Sequence, residues 1–455
     1  MKICSKRQRM LFLLLASPLI ITACRNMGGN DVLQEATTLT YANLTKGGVD
    51  YSAVMRFNAA HKDVQVVIQN YFDEDDSRGQ DRLLAEIAAG DMPDIIDLGP
   101  AGGLPYQRMA RKGLLENLWP YIENDPELGR EGVLEAPLKA AEVDGGLYVV
   151  FDKVCIQTLV GAESIVGNRY SWTIEELLDA YASMSEGSTI MEMDMLRKQD
   201  VFRRLFYLSA EDYVDWNTGE CFYDSEQFRS TLEFINNNFP DEISNELAAM
   251  DTEELSAESM EWILSGRQML SSTVLARPRN IQEIDTIFGA GGRAAFVGYP
   301  TEDGSVGSYF YIRGRSLGMS TYCQHKEAAW DFLREVLLPQ YNDIRSLDNP
   351  NVDKFHVPLN LNDYQLLKRY DMTVISPDGA PYYMGPILRY HKATQEEVDR
   401  FDYLMNSIDK INLYDRKIYD IAYETASAYF AGDKTLDETV ALLQNRVGLY
   451  VNENR

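Results

Sequence analysis

Three short stretches place aromatic rings, amides and carboxylates close together: Tyr41-Ala42-Asn43, Tyr71-Phe72-Asp73-Glu74, and the glycine-bearing run from Gly99 to Tyr106. Such side chains bind by stacking and by hydrogen bonding, and glycines let a backbone approach a bound molecule closely. Most of the well-known patterns of residues that make or break covalent bonds are missing. There is no H-E-x-x-H and no phosphate-cradling glycine loop. Of the four histidines (His61, His325, His356, His391) only His325 lies near a cysteine, two residues after Cys323, so the full set of zinc-ligand spacings is absent, and no acidic run has the spacing of a calcium loop. The sequence therefore points to no metal, no cofactor and no enzyme. A pair of carboxylates working as a glycoside hydrolase is the strongest alternative in a chain with 70 acidic residues.

The elements that would carry those stretches alternate regularly. Thr38 to Tyr41 reads as a strand, Ser52 to Ala60 as a helix, Val64 to Ile68 as a second strand, Gln80 to Ala89 as a second helix, and Asp94 to Leu98 as a third strand. Gly90 suits the left-handed residue after a helix, and Pro93 blocks its continuation. Strands joined by helices at this spacing pair in parallel, and open parallel sheets bind ligands beyond their carboxyl ends. The three stretches above lie at those ends. With 455 residues, 45% of them hydrophobic and 25% charged, two cores are expected, giving a two-lobed α/β protein. The formal net charge of −27 argues against nucleic acid and against adsorption to anionic lipid.

At the N-terminus, Lys2, Lys6, Arg7 and Arg9 precede an apolar segment from Met10 to Ile21 that is too short to span a bilayer, as in an export signal. Ile21-Thr22-Ala23-Cys24 resembles the lipobox of bacterial lipoproteins. That resemblance implies removal of residues 1–23, diacylglycerol on Cys24, a tether over residues 24–37, and an extracytoplasmic, membrane-anchored location. Of five cysteines, Cys155, Cys221 and Cys323 remain for the fold, so at most one disulfide can form.

Further along, "FNAAHKDVQVVIQNYFDEDD", "LLAEIAAGDMPDII", "RKGLLENLWPYIENDPEL", "GGLYVVF", "SWTIEELLDAY", "DWNTGECFYDSEQF", "KEAAWDFLREVLLPQY" and the closing "ASAYFAGDKTLDETVALLQNRVGLYVNE" follow in an order that resembles the extracellular solute-binding proteins of family 1. The resemblance implies a monomeric receptor of an ABC importer that encloses a carbohydrate, of oligosaccharide size, between two lobes and passes it to a membrane permease. A surface lectin without a permease is a further alternative. The lobes implied are a clamshell of two mostly parallel sheets flanked by helices, with a helical C-terminal region. The first would comprise residues 38–150 plus 299–356 and the second 151–298 plus 357–455, with chain crossings near 146–158, 298–320 and 356–360.

For such a site the ligand-binding candidates are Tyr41, Asn43, Asp73, Glu74, Asp97 and Tyr106 in the first lobe, and Trp216, Tyr299, Tyr309 and Tyr311 in the second lobe or its return crossing. Asn43 matches the polar residue that maltose-type members carry after the first strand. Leu98 stands where those members have an aromatic, a departure from the maltose-type pocket. Trp119, Trp172 and Trp330 are expected in the core, Trp172 beside a capping box formed by Thr173 and Glu176.

Overall fold

The structure, a computed structural model, describes residues 36–44, 49–72, 76–99, 104–192, 196–206, 209–245, 249–288, 292–349, 352, 355–375, 391–413 and 415–454. Cys24, the tether up to residue 35, Asp73 and Glu74 lie outside them.

The chain begins as the sequence periodicity requires. Strands β1 (Thr37–Asn43), β2 (Val64–Asn70) and β3 (Ile95–Asp97) are joined by helices Val49–Ala60 and Asp76–Ala88. β1 pairs in parallel with both β2 and β3. Gly90 takes a left-handed φ of 88° just past the second helix. After hairpin β4 (Glu142–Val143) and β5 (Gly146–Leu147), the short β6 (Val150–Phe151) joins the same sheet. The sheet is completed by β13 (Ser316–Met319), antiparallel to both β3 and β6, in the order β2-β1-β3-β13-β6.

One residue, Asp152, separates β6 from β7 (Lys153–Ala162), the long strand on which the second sheet is built. β10 (Ser271–Leu275), β11 (Ala294–Ala295), β12 (Tyr309–Ile312) and β14 (Val357–Pro358) all pair with β7, and all are antiparallel to it. The α/β class stands, but this second sheet is not the parallel one expected. The reason is directional: β7 carries the chain away from the first sheet, and β12 carries it back, so the two must run oppositely. A separate hairpin, β8 (Val214–Asp215) with β9 (Glu220–Cys221), lies among the second lobe's helices.

Helices 416–430 and 436–454 bury Ile418, Ala422, Phe430, Leu443, Val447 and Val451 in one core with Trp172, Phe202, Phe228 and Trp216. Tyr299 and Tyr309, assigned from sequence to the first lobe, belong to that same core, while Phe310 and Ile312, on the same strand as Tyr309, pack in the first core. The segment 357–413 also differs from expectation. Phe401, Leu404 and Met405 share a core with Leu138 and Val133 of the first lobe, and Leu367 and Tyr370 pack on Tyr341 and Leu347. This segment bridges the lobes because its amphipathic helices find apolar partners on both sides.

The capping box at Thr173 and Glu176 is formed, and Trp119, Trp172 and Trp330 are buried, the Trp172 indole donating to the Gly298 carbonyl at 2.9 Å. Cys155, Cys221 and Cys323 are free thiols. Among the described residues no helix is long and apolar enough to cross a membrane, and no group of three or more acidic, histidine or cysteine side chains could hold a metal.

Candidate solute-binding site

The carboxyl ends of β1, β2 and β3 form a polar edge of the first sheet. Asn43, almost wholly buried at the end of β1, donates its amide to Asn70 Oδ1 at 3.1 Å, and the same oxygen accepts from the Tyr51 hydroxyl at 2.7 Å. The parallel register continues so that Asp97, at the end of β3, lies next in line and accepts from Gly99 N–H at 3.0 Å. Asn43 and Asp97 are thus brought together as the strand-end argument requires.

From this edge the chain enters helix Tyr106–Arg111, whose polar side chains reach the second lobe. Gln107 donates to the Leu413 carbonyl at 2.6 Å, Arg108 donates to Asn454 Oδ1 at 2.6 Å, and the Arg111 guanidinium lies 5.3 Å above the Trp216 ring. Arg111 also approaches Asp144 at 3.6 Å, an aspartate with φ of 51° in the turn of the β4–β5 hairpin.

Opposite stands an acidic cluster of the second lobe. Glu211, in the short helix Ala210–Tyr213, accepts from Trp216 Nε1 at 3.2 Å and from the backbone N–H of Asp415. Asp415 caps helix 416–430 by accepting from Lys417 N–H at 2.9 Å, and takes the Tyr450 hydroxyl at 2.6 Å. Burial pushes the Glu211 carboxyl up to about 7; Asp415 adds to the rise, while the bonds it accepts and the Arg111 charge oppose it. Burial also raises Asp415, against the pull of Tyr450 and Arg108. The result is a donor-only guanidinium on one lobe set over the largely buried Trp216 indole of the other, with two buried acceptor carboxylates beside it, so that both donors and acceptors meet where the lobes join.

The other aromatic candidates fall elsewhere. Tyr41 is fully buried, its ring 5.8 Å from Phe332, and the Tyr106 hydroxyl donates to the Ala141 carbonyl inside the first lobe. Both pack the core, which corrects the expectation that they bind solute. Tyr299 and Tyr309 form a perpendicular pair at 5.8 Å within the second core, Tyr299 accepting from Gln157 at 3.3 Å. These two are also packing residues. Tyr311 is half-buried under Arg313, 5.3 Å away, at the return crossing. Sequence reasoning passed over Arg108, Arg111, Glu211 and Asp415; the available signal was a cluster of three cations, Arg108, Arg111 and Lys112, directly after a strand-end loop in an acidic chain.

The chain is a two-lobed α/β protein in which polar side chains of the two lobes meet between its sheets. The family model for bacterial extracellular solute-binding proteins matches residues 41–343, and the chain is a member of that family, which works outside the cytoplasm. Among solved structures it is similar to the sugar-binding protein MalE from Xanthomonas citri, with 15% identity, 92% of this chain and 98% of that one covered, and a TM-score of 0.52. A periplasmic oligogalacturonide binding protein from Yersinia enterocolitica matches with 14% identity, 92% and 100% coverage and a TM-score of 0.54. An extracellular solute-binding protein of family 1 from Alicyclobacillus acidocaldarius matches with 14% identity, 92% and 99% coverage and a TM-score of 0.50. At these identities the likeness is one of fold. No curated protein matches the sequence.

Proposed function

We propose that the chain is the lipid-anchored receptor of an ABC importer, holding a carbohydrate of oligosaccharide size between its lobes and delivering it unaltered to a permease. The observation that supports this most is the meeting of Arg108 and Arg111 with Trp216, Glu211 and Asp415 across the two lobes. Sugar rings have weakly apolar faces and hydroxyl edges, so an indole beside opposed donors and acceptors fits their chemistry. Asn43 and Asp97 would read hydroxyls from the first lobe, with Asp73 and Glu74 on the adjoining loop and Tyr311 at the crossing.

A solute that touches both lobes stabilises the closed arrangement over the open one by its difference in affinity for the two. Micromolar binding corresponds to about −8 kcal/mol, within reach of one stacked ring and several desolvated hydrogen bonds after closure. Diacylglycerol on Cys24 would supply two acyl chains, enough for stable anchoring, and would concentrate the receptor beside its permease.

The test is to incubate the purified chain with a panel of neutral, acidic and amino oligosaccharides, following melting temperature and analysing the sugars afterwards. A raised melting temperature with the sugar intact supports the receptor; released monosaccharide identifies a hydrolase and overturns it. Membrane fractionation of a Cys24→Ala variant tests the anchor, which predicts loss from the membrane.

A further inference from the structure

The chain passes between the two sheets at three places, and one residue, Asp152, touches them all through its carboxylate and its backbone carbonyl. Asp152 is the single residue between β6 and β7. Its Oδ1 accepts the backbone N–H of Arg315 at 3.0 Å, in the three-residue return from β12 to β13, and Arg315 Nε lies 3.8 Å from its Oδ2. Its own carbonyl accepts the N–H of Leu359 at 3.0 Å, directly after β14. Next to it the Lys153 carbonyl accepts from Arg313 N–H at 3.1 Å, and Arg313 Nε donates to His356 Nε2 at 3.3 Å. Asp152 and Arg315 are both nearly buried.

We propose that Asp152 is a positioning residue for solute capture, tying the three inter-lobe passages into one unit that sets how far the lobes open. This rests on the two-lobed receptor reading above. Opening and closing require a few residues between the lobes to absorb backbone rotation. Two acceptors on one residue, the carboxylate holding Arg315 and the carbonyl holding Leu359, couple those rotations, because neither returning passage can turn without breaking a bond to Asp152. Gly314 shows how closely the parts fit: a Cβ there would lie 1.6 Å from Asp152 Oδ1. Only glycine at 314 leaves the carboxylate room to reach Arg315 N–H, so a methyl group at that position removes the tie without altering any charge.

Hydrogen–deuterium exchange on the full chain in mild detergent, with no solute added, tests this in Asp152→Ala, Gly314→Ala and Asp152→Asn. In the two alanine variants exchange should accelerate roughly tenfold at 313–316, where the side-chain bond is lost, and, through the loosened Asp152 backbone, at 152–154 and 359–360, while β1, β2 and helix 436–454 keep the parent rate. Asp152→Asn keeps an oxygen acceptor for Arg315 N–H and should stay near the parent at all three passages. Acceleration spread evenly through both sheets would mean ordinary core damage and overturn the proposal. So would unchanged exchange at the passages in both alanine variants, or an asparagine variant as fast as the alanine one. Because the readout needs no solute, failure of the carbohydrate panel and failure of the hinge tie are distinguishable.

Discussion

Arg111 of the first lobe and Trp216 of the second face each other at 5.3 Å, guanidinium over indole, although 105 positions separate them in the sequence. The contact exists only where the two sheets' loops meet. It also links two chemistries: the cation draws on the ring face, and the ring's own N–H is fixed by Glu211.

Replacing Trp216 by alanine should therefore weaken binding of any carbohydrate that raises the melting temperature, by about tenfold or more, as loss of a stacking face and a buried hydrogen bond requires. Titration calorimetry with the strongest responder in the panel checks it. Unchanged affinity would remove Trp216 from the site.

Tyr41→Ala should act differently. Tyr41 packs on Phe332 with no exposed surface, so truncation should cost about 3–5 kcal/mol of stability, as for other large aromatic truncations in cores, and leave the affinity of the folded fraction intact. Urea unfolding alongside the same titration separates the two effects.

Glu211 should make the protein less stable as pH rises. Its folded carboxyl titrates at about 7 against an ordinary 4.5, so between those values the folded state holds more protons than the unfolded one. Stability from this group is full below pH 4.5 and falls as pH climbs through 7, by roughly 3 kcal/mol at most. Asp415, also raised, contributes with the same sign. Glu211→Gln should flatten the melting temperature between pH 5 and 7.5; an unchanged profile would place the titration elsewhere.

Asp371 holds two buried arginines at once. It takes Arg277 Nε at 3.1 Å and Arg279 N–H at 3.1 Å, with the Arg279 guanidinium at 3.2 Å. Asp371→Ala leaves both cations buried without this counter-charge and should destabilise by about 3–5 kcal/mol. Chemical denaturation measures it, and a loss under about 1 kcal/mol would show that the triad is neutralised by other groups.

The first β-α-β-α-β run was legible because each of its parts is local. Helical spacing in residues 80–89, Gly90 beyond it and the Thr173–Glu176 cap act within a turn or two, and the structure shows each of them. Asn43 and Asp97 were legible for the same reason, since parallel strands joined by helices place their carboxyl ends together. The role of Tyr41 was not. β1 is buried at three successive positions, 41 to 43, because both faces of the sheet are covered there, so alternation could not tell a core-facing ring from a cleft-facing one.

By itself, then, the sequence determined the element types, the α/β class, the family resemblance and the acidic, motif-poor character that points to binding. Tertiary structure decided which side chains meet: Arg108 with Asn454, 346 positions away, Arg111 with Trp216, and Asp152 with both returning passages. Local propensity acts over a few residues, whereas these contacts depend on the direction in which a strand returns, and that is fixed only when both sheets and the helices bridging them pack at once.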